Sequence, residues 1–111
     1  MYFGAGWLKG EGLMNDLLKK IVEWNEANEY QKCVDAIEAI PEEERGYELT
    51  VLLGRAYSNL GVLGDNNSKA NEDGVDIFLL EKAVNIFESV RLQGLDDWYW
   101  NCRMAYALWM T

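Results

Sequence analysis

One spacing of apolar residues occurs twice in this chain. Leu80, Ala83, Val84, Phe87 and Val90 stand at i, i+3, i+4, i+7 and i+10, and Tyr30, Cys33, Val34, Ile37 and Ile40 repeat that register 50 positions earlier. At 3.6 residues per turn, positions three and four apart return to the same side of a helix, so each set forms one apolar stripe. A second pair follows the first: Leu49, Leu53, Ala56, Tyr57 and Leu60 precede Trp100, Met104, Ala107, Leu108 and Thr111 by 51 positions, and only Thr111 breaks the apolar match. Any two amphipathic helices can be superposed, but two pairs with nearly equal offsets imply a repeated helix hairpin. Such a unit cannot cover its own stripe, so it has to stack on a neighbour.

Punctuation divides the chain into about five helices, near 15–27, 29–40, 46–61, 75–93 and 96–110. The fold class is therefore all-α, with little strand alternation anywhere. Asn28, Asp73 and Asp96 are plausible N-caps, Gly94 a left-handed stop, and Pro41 a block to continuing the second helix. Glu42, Glu43 and Glu44 read as a solvated, charge-favoured start to the third helix. Residues 62–78 form a polar loop inserted into the domain 14–111. Residues 1–13 read as a leader, because they carry four glycines before Met14, and Asn15 and Asp16 could cap a helix that starts there.

Half of the 111 residues are hydrophobic, which suffices for one core, and the chain is predicted to fold as a single domain. It has no histidine, which removes His-based triads, His-ligated zinc and most neutral-pH general bases. The formal charge of −9, with no cluster of Lys or Arg, disfavours nucleic acid. The longest apolar run, Met104 to Met110, is far below the ~20 residues that span a bilayer, so no membrane span is expected. Cys33 and Cys102 sit in helical pattern far apart, which suits small core residues in a reducing, cytoplasmic setting. The stretch from Asp65 to Gly74 fails the calcium-loop spacing, since Lys69 occupies a ligand position. No metal or cofactor is expected.

Leu53-Gly54-Arg55-Ala56-Tyr57 matches the Leu-Gly-x-x-Tyr part of the tetratricopeptide signature, and Ala83-x-x-x-Phe87 its second-helix half. The chain resembles that family over roughly residues 14–110. The resemblance implies a right-handed stack of antiparallel hairpins, a tetratricopeptide-like α-solenoid, with Gly54 and Ala83 at the close approach of two helices. The offset of 51 exceeds the ~34-residue family period by about the length of 62–78. A surface insertion of that size adds only ~1–2 kcal/mol of loop entropy. There are departures: Thr50 stands for the signature Trp, Leu95 for its Pro, and Cys33 and Ile37 for its Ala and Phe.

In that family the first helix of each hairpin lines a concave groove. The resemblance carries this face onto Arg55 and Asn59 of the third helix and Tyr99, Arg103 and Tyr106 of the fifth, as a partner-binding site for a peptide or protein. An acidic segment or C-terminal carboxylate would suit the two arginines; equally, they are solvated or paired with nearby acids. The family's carboxylate-clamp pattern is absent. The leading expectation is thus a non-enzymatic interaction scaffold. The alternative is an acidic inhibitor or immunity-type protein that blocks a basic enzyme, with its charge steering association; a carboxylate-metal enzyme ranks third. The last helix has no following helix to cover Trp98, Trp109 and Met110, which points to a homodimer or partner contact there, joined by Tyr2, Phe3 and Trp7.

Overall fold

Helix is the only regular structure among the described residues, 4–65 and 74–111 of the computed structural model, with side chains described from residue 14 onward. Six helices follow in order: α1 (Gly4–Glu26), α2 (Tyr30–Glu38), α3 (Glu42–Leu63), α4 (Ile77–Glu88), α5 (Arg91–Gly94) and α6 (Trp98–Met110). The all-α class expected from the periodicity is present. Helix α1 starts at Gly4, so Asn15 and Asp16 lie inside it and do not cap its start.

Helix ends are set by residues next to those expected. Asn28 is not the cap of α2. It takes a left-handed φ of 62° and closes α1, a conformation that Asn tolerates better than most residues. The N-cap position of α2 is Glu29, whose side chain makes no capping bond. The Asp65 carboxylate supplies one from a distance, accepting from the Gln31 amide at 2.8 Å. Pro41 precedes α3, with Glu42, Glu43 and Glu44 in the first turn, all exposed. Gly46 then kinks the helix with φ 72° and ψ 178°, so regular helix resumes beside Tyr47, close to the expected start. The N-cap of α4 is Asp76, which accepts from the Leu79 amide at 3.2 Å; Asp73 lies outside the described residues. The N-cap of α6 is Asp97, not Asp96, and it accepts from the Tyr99 amide at 3.0 Å.

The fourth helix was expected to run to residue 93, but α4 ends at Glu88 and a single turn, α5, follows. Competition for backbone carbonyls accompanies the break. Trp100 Nε1 donates to Phe87 O at 3.0 Å, and the Asn101 amide donates to Gly94 O, Leu95 O and Asp97 O. Gly94 is not a left-handed stop. It is buried beneath Trp100, where a Cβ would lie 2.3 Å from ring atom Cδ2. Only a residue without a side chain lets that indole pass.

Both stripes read from the sequence face inward. Tyr30, Cys33, Val34 and Ile37 of α2 are buried, as are Leu80, Ala83 and Phe87 of α4. They meet Ile21 of α1, Leu49, Leu53 and Ala56 of α3, and Trp100, Met104 and Ala107 of α6. Each buried side chain of Leu or Phe size contributes ~1.5–3 kcal/mol, so these stripes supply the main drive to fold. Helix α2 packs on α1 and α3, α4 packs on α3 and α6, and α3 also meets α6. Gly54 faces α4, its Cα against the Phe87 ring. No helix among the described residues is long and apolar enough to cross a membrane.

Two expectations for α6 need correction. Cys102 is exposed rather than a core residue, and Leu108, placed by its spacing on the apolar stripe with Trp100 and Met104, is 55% exposed. Helix α6 is apolar on nearly every side, so periodicity alone does not choose the face that α4 covers. Cys33 is buried, and its thiol donates to Ile21 O at 3.6 Å.

Candidate functional site

Beside the apolar core, helices α1, α3 and α6 are also joined by a polar network. Arg103 Nη2 donates to Ser58 Oγ at 2.8 Å and to Asn59 Oδ1 at 2.9 Å, tying α6 to α3. Asn59 Nδ2 donates onward to Asn25 Oδ1 of α1 at 3.3 Å. Arg55 Nη1 donates to the Tyr99 hydroxyl at 3.1 Å, a second tie from α3 to α6. The Arg103 guanidinium lies over the Tyr106 ring, 4.9 Å from its centroid, in cation–π geometry. All five expected residues, Arg55, Asn59, Tyr99, Arg103 and Tyr106, therefore belong to one cluster.

Three further residues join it that sequence reasoning missed. Ser58 is fully buried, donates to Arg55 O at 2.9 Å and accepts from Arg103. Asn25 closes the α1 side. Tyr30, buried at the start of α2, is within electrostatic reach of Arg55, Arg103 and Tyr106, and its hydroxyl donates to Asn28 Oδ1 at 2.8 Å. The available sequence signal was Ser58, one residue before Asn59 and three after Arg55: two small polar residues inside an otherwise apolar helix face need buried partners.

The cluster carries two positive charges and no negative one. Among the described residues the ion pairs are Lys32 with Glu29 and Arg91 with Glu88, so neither Arg55 nor Arg103 has a carboxylate partner. Both arginines are half-buried, and the Nε of each is shut off from solvent without an acceptor. Burial lowers the pKa of Arg103, and the neighbouring charge of Arg55 lowers it further, against the opposing effect of Tyr99 and Tyr106. A buried donor without a partner costs ~1–3 kcal/mol, and more when charged. On the outer helices, Asp35 and Glu38 of α2 and Glu81 and Glu88 of α4 are exposed.

A separate cleft of about 310 Å³ lies between the start of α3 and the end of α4, lined by Glu43, Tyr47, Thr50, Ile86 and Val90 among others, and it shares no residue with the arginine cluster. Beside it the Tyr47 hydroxyl donates to Asp97 Oδ2. Burial, and then that bond, push the Tyr47 phenol up to about 12. Tyr57 makes the equivalent tie to α2, donating to Glu38 Oε2 at 2.6 Å.

The chain matches no protein-family model, no curated protein and no solved structure. What the site can do follows from its chemistry. Two forked cations fixed by Tyr, Ser and Asn, without a counter-charge, suit an anion that presents two oxygens.

Proposed function

We propose that this chain is a tetratricopeptide-like α-solenoid that works as a non-enzymatic protein-interaction module. Its partner is a peptide or protein whose carboxylate docks at Arg55 and Arg103, with Tyr99, Tyr106 and Asn59 shaping the floor. Helices α1, α3 and α6 act as the groove-lining helices, and α2 and α4 as the outer ones. The cytoplasm is the proposed setting, consistent with the free thiols Cys33 and Cys102.

One observation carries this reading: in a protein of charge −9, two half-buried guanidiniums share one cluster with no carboxylate among the described residues to neutralise them. If the pair served stability alone, replacement by apolar residues of similar volume would serve as well or better. A carboxylate docking at the guanidinium Nη groups would offset the repulsion between the two cations.

The test is affinity selection from a peptide library displayed with free C-termini, followed by anisotropy titration of the selected peptides. Selected sequences should carry acidic residues or need a free terminus, and Arg55→Gln with Arg103→Gln should weaken them at least tenfold while the helical circular dichroism is retained. Selection of basic peptides, or equal binding by the double variant, would overturn the reading. Basic selection with a steep loss at raised salt would instead support an acidic inhibitor.

A further inference from the structure

The side of α6 that faces away from the core is apolar, uncharged and bare. Trp98 and Trp109 are 77% and 83% exposed, Cys102 and Ala105 between them are exposed, and Asn101 and Leu108 flank the stripe. Trp98, Cys102, Ala105 and Trp109 are spaced by four, three and four residues, so they share one helix face. The buried residues Trp100, Met104 and Ala107 hold the opposite side. None of the six residues of this bare face is charged, in a chain where 26% of residues are.

The corresponding face of α3 shows how such a surface is used. Tyr47, Val51, Gly54 and Ser58 precede Trp98, Cys102, Ala105 and Trp109 by 51 positions. On α3 this face is occupied: Gly54 meets Phe87 of α4, Ser58 meets Arg103 of α6, and Val51 is buried. On α6 the equivalent positions are all exposed.

We infer that this face is a self-association surface, and that its occupant is α6 of a second copy of this chain, packed antiparallel across a two-fold axis. The spacing reads the same in both directions. An antiparallel pair centred between residues 103 and 104 therefore sets Trp98 of one copy against Trp109 of the other, and Cys102 against Ala105. Small residues in the middle let the helices approach, while indoles close both ends. An isologous contact requires this self-complementarity, because every residue meets its symmetry mate's partner.

The area suffices. A Trp side chain buries up to ~250 Å², so the two exposed indoles bring roughly 400 Å² per copy. With Leu108, Cys102 and Ala105 the pair can reach the ~1,000 Å² expected of a specific interface. With no charge on the face, nothing ionic has to be desolvated. Each copy carries −9 overall, so long-range repulsion opposes the pairing, and salt, by screening it, strengthens the dimer.

Sedimentation equilibrium on the full chain, at low and high ionic strength, tests this together with Ala105→Arg, a change at an exposed position that leaves the fold intact. The wild type is expected to form dimers that tighten as salt rises, and Ala105→Arg to be monomeric with unchanged helical content. A wild type that stays monomeric throughout, or a dimer untouched by Ala105→Arg, would overturn the inference. Dimers that weaken with salt would assign the association to a charged surface instead.

Discussion

The Phe87 ring of α4 rests on the bare Cα of Gly54 in α3: a Cβ built there would stand 2.6 Å from Cε1, 2.8 Å from Cζ and 3.0 Å from Cδ1. Phe87 has no exposed surface, so its ring has nowhere to retreat. Replacing Gly54 by Ala brings two opposing effects. Helix propensity gains up to ~1 kcal/mol, and overpacking costs ~1–3 kcal/mol. Because three ring atoms are involved, the clash wins, and Gly54→Ala is expected to destabilise by about 1–2 kcal/mol in urea unfolding. Adding Phe87→Leu should recover part of that loss, a coupling that a double-mutant cycle reads directly.

Trp100 is expected to be the residue that joins α6 to the end of α4. Its Nε1 satisfies Phe87 O, and its indole fills the space left open by Gly94. Trp100→Phe removes the donor and part of the ring, and should cost about 2–3 kcal/mol, made up of a lost hydrogen bond and a cavity. Amide hydrogen exchange should quicken first in α5 and at the end of α4.

Alkali should destabilise the fold through its tyrosines. Tyr47, with a usual value of 10, is raised to about 12, and Tyr57 is raised as well, in both cases first by burial and then by a carboxylate that accepts its proton. The folded state therefore holds both phenols protonated. This stabilisation is fully present below pH 10 and is lost as the pH climbs through the folded-state values. The melting temperature should fall steeply above pH 10, and Tyr47→Phe should flatten part of that fall. On the acid side, the hydrogen bond from Tyr47 holds Asp97 below its usual range, so this contribution is present at neutral pH and disappears as Asp97 is protonated.

The sequence showed what is local or periodic. The inward stripes of α2 and α4 were legible because spacing alone places Cys33, Ile37, Ala83 and Phe87 on one side. Gly54 was legible because a family signature names it. What depended on distant contacts was not. Asp96 and Asp97 are equally good caps on paper, and Asp97 is distinguished by its additional bond from Tyr47, 50 residues away. Val90 keeps the period of α4, yet the helix ends before it, where Trp100 takes the Phe87 carbonyl. Cys102 looked like a core residue because α6 is apolar almost all round. At the candidate site the two arginines were placed by the resemblance, whereas the ties through Asn25 and Ser58 required the arrangement of three helices.

Arginine side-chain NMR gives the most direct measurement of the central proposal, that Arg55 and Arg103 form one receptor for a carboxylate. In free protein their Nε–H groups have no acceptor. Titration with a short acidic peptide ending in a free carboxylate should move the Nη–H signals of both arginines along one saturable curve, while a neutral amidated control leaves them in place. If peptides from the library bind with both signals unmoved, or if the signals respond equally to the control, the two guanidiniums are not the receptor.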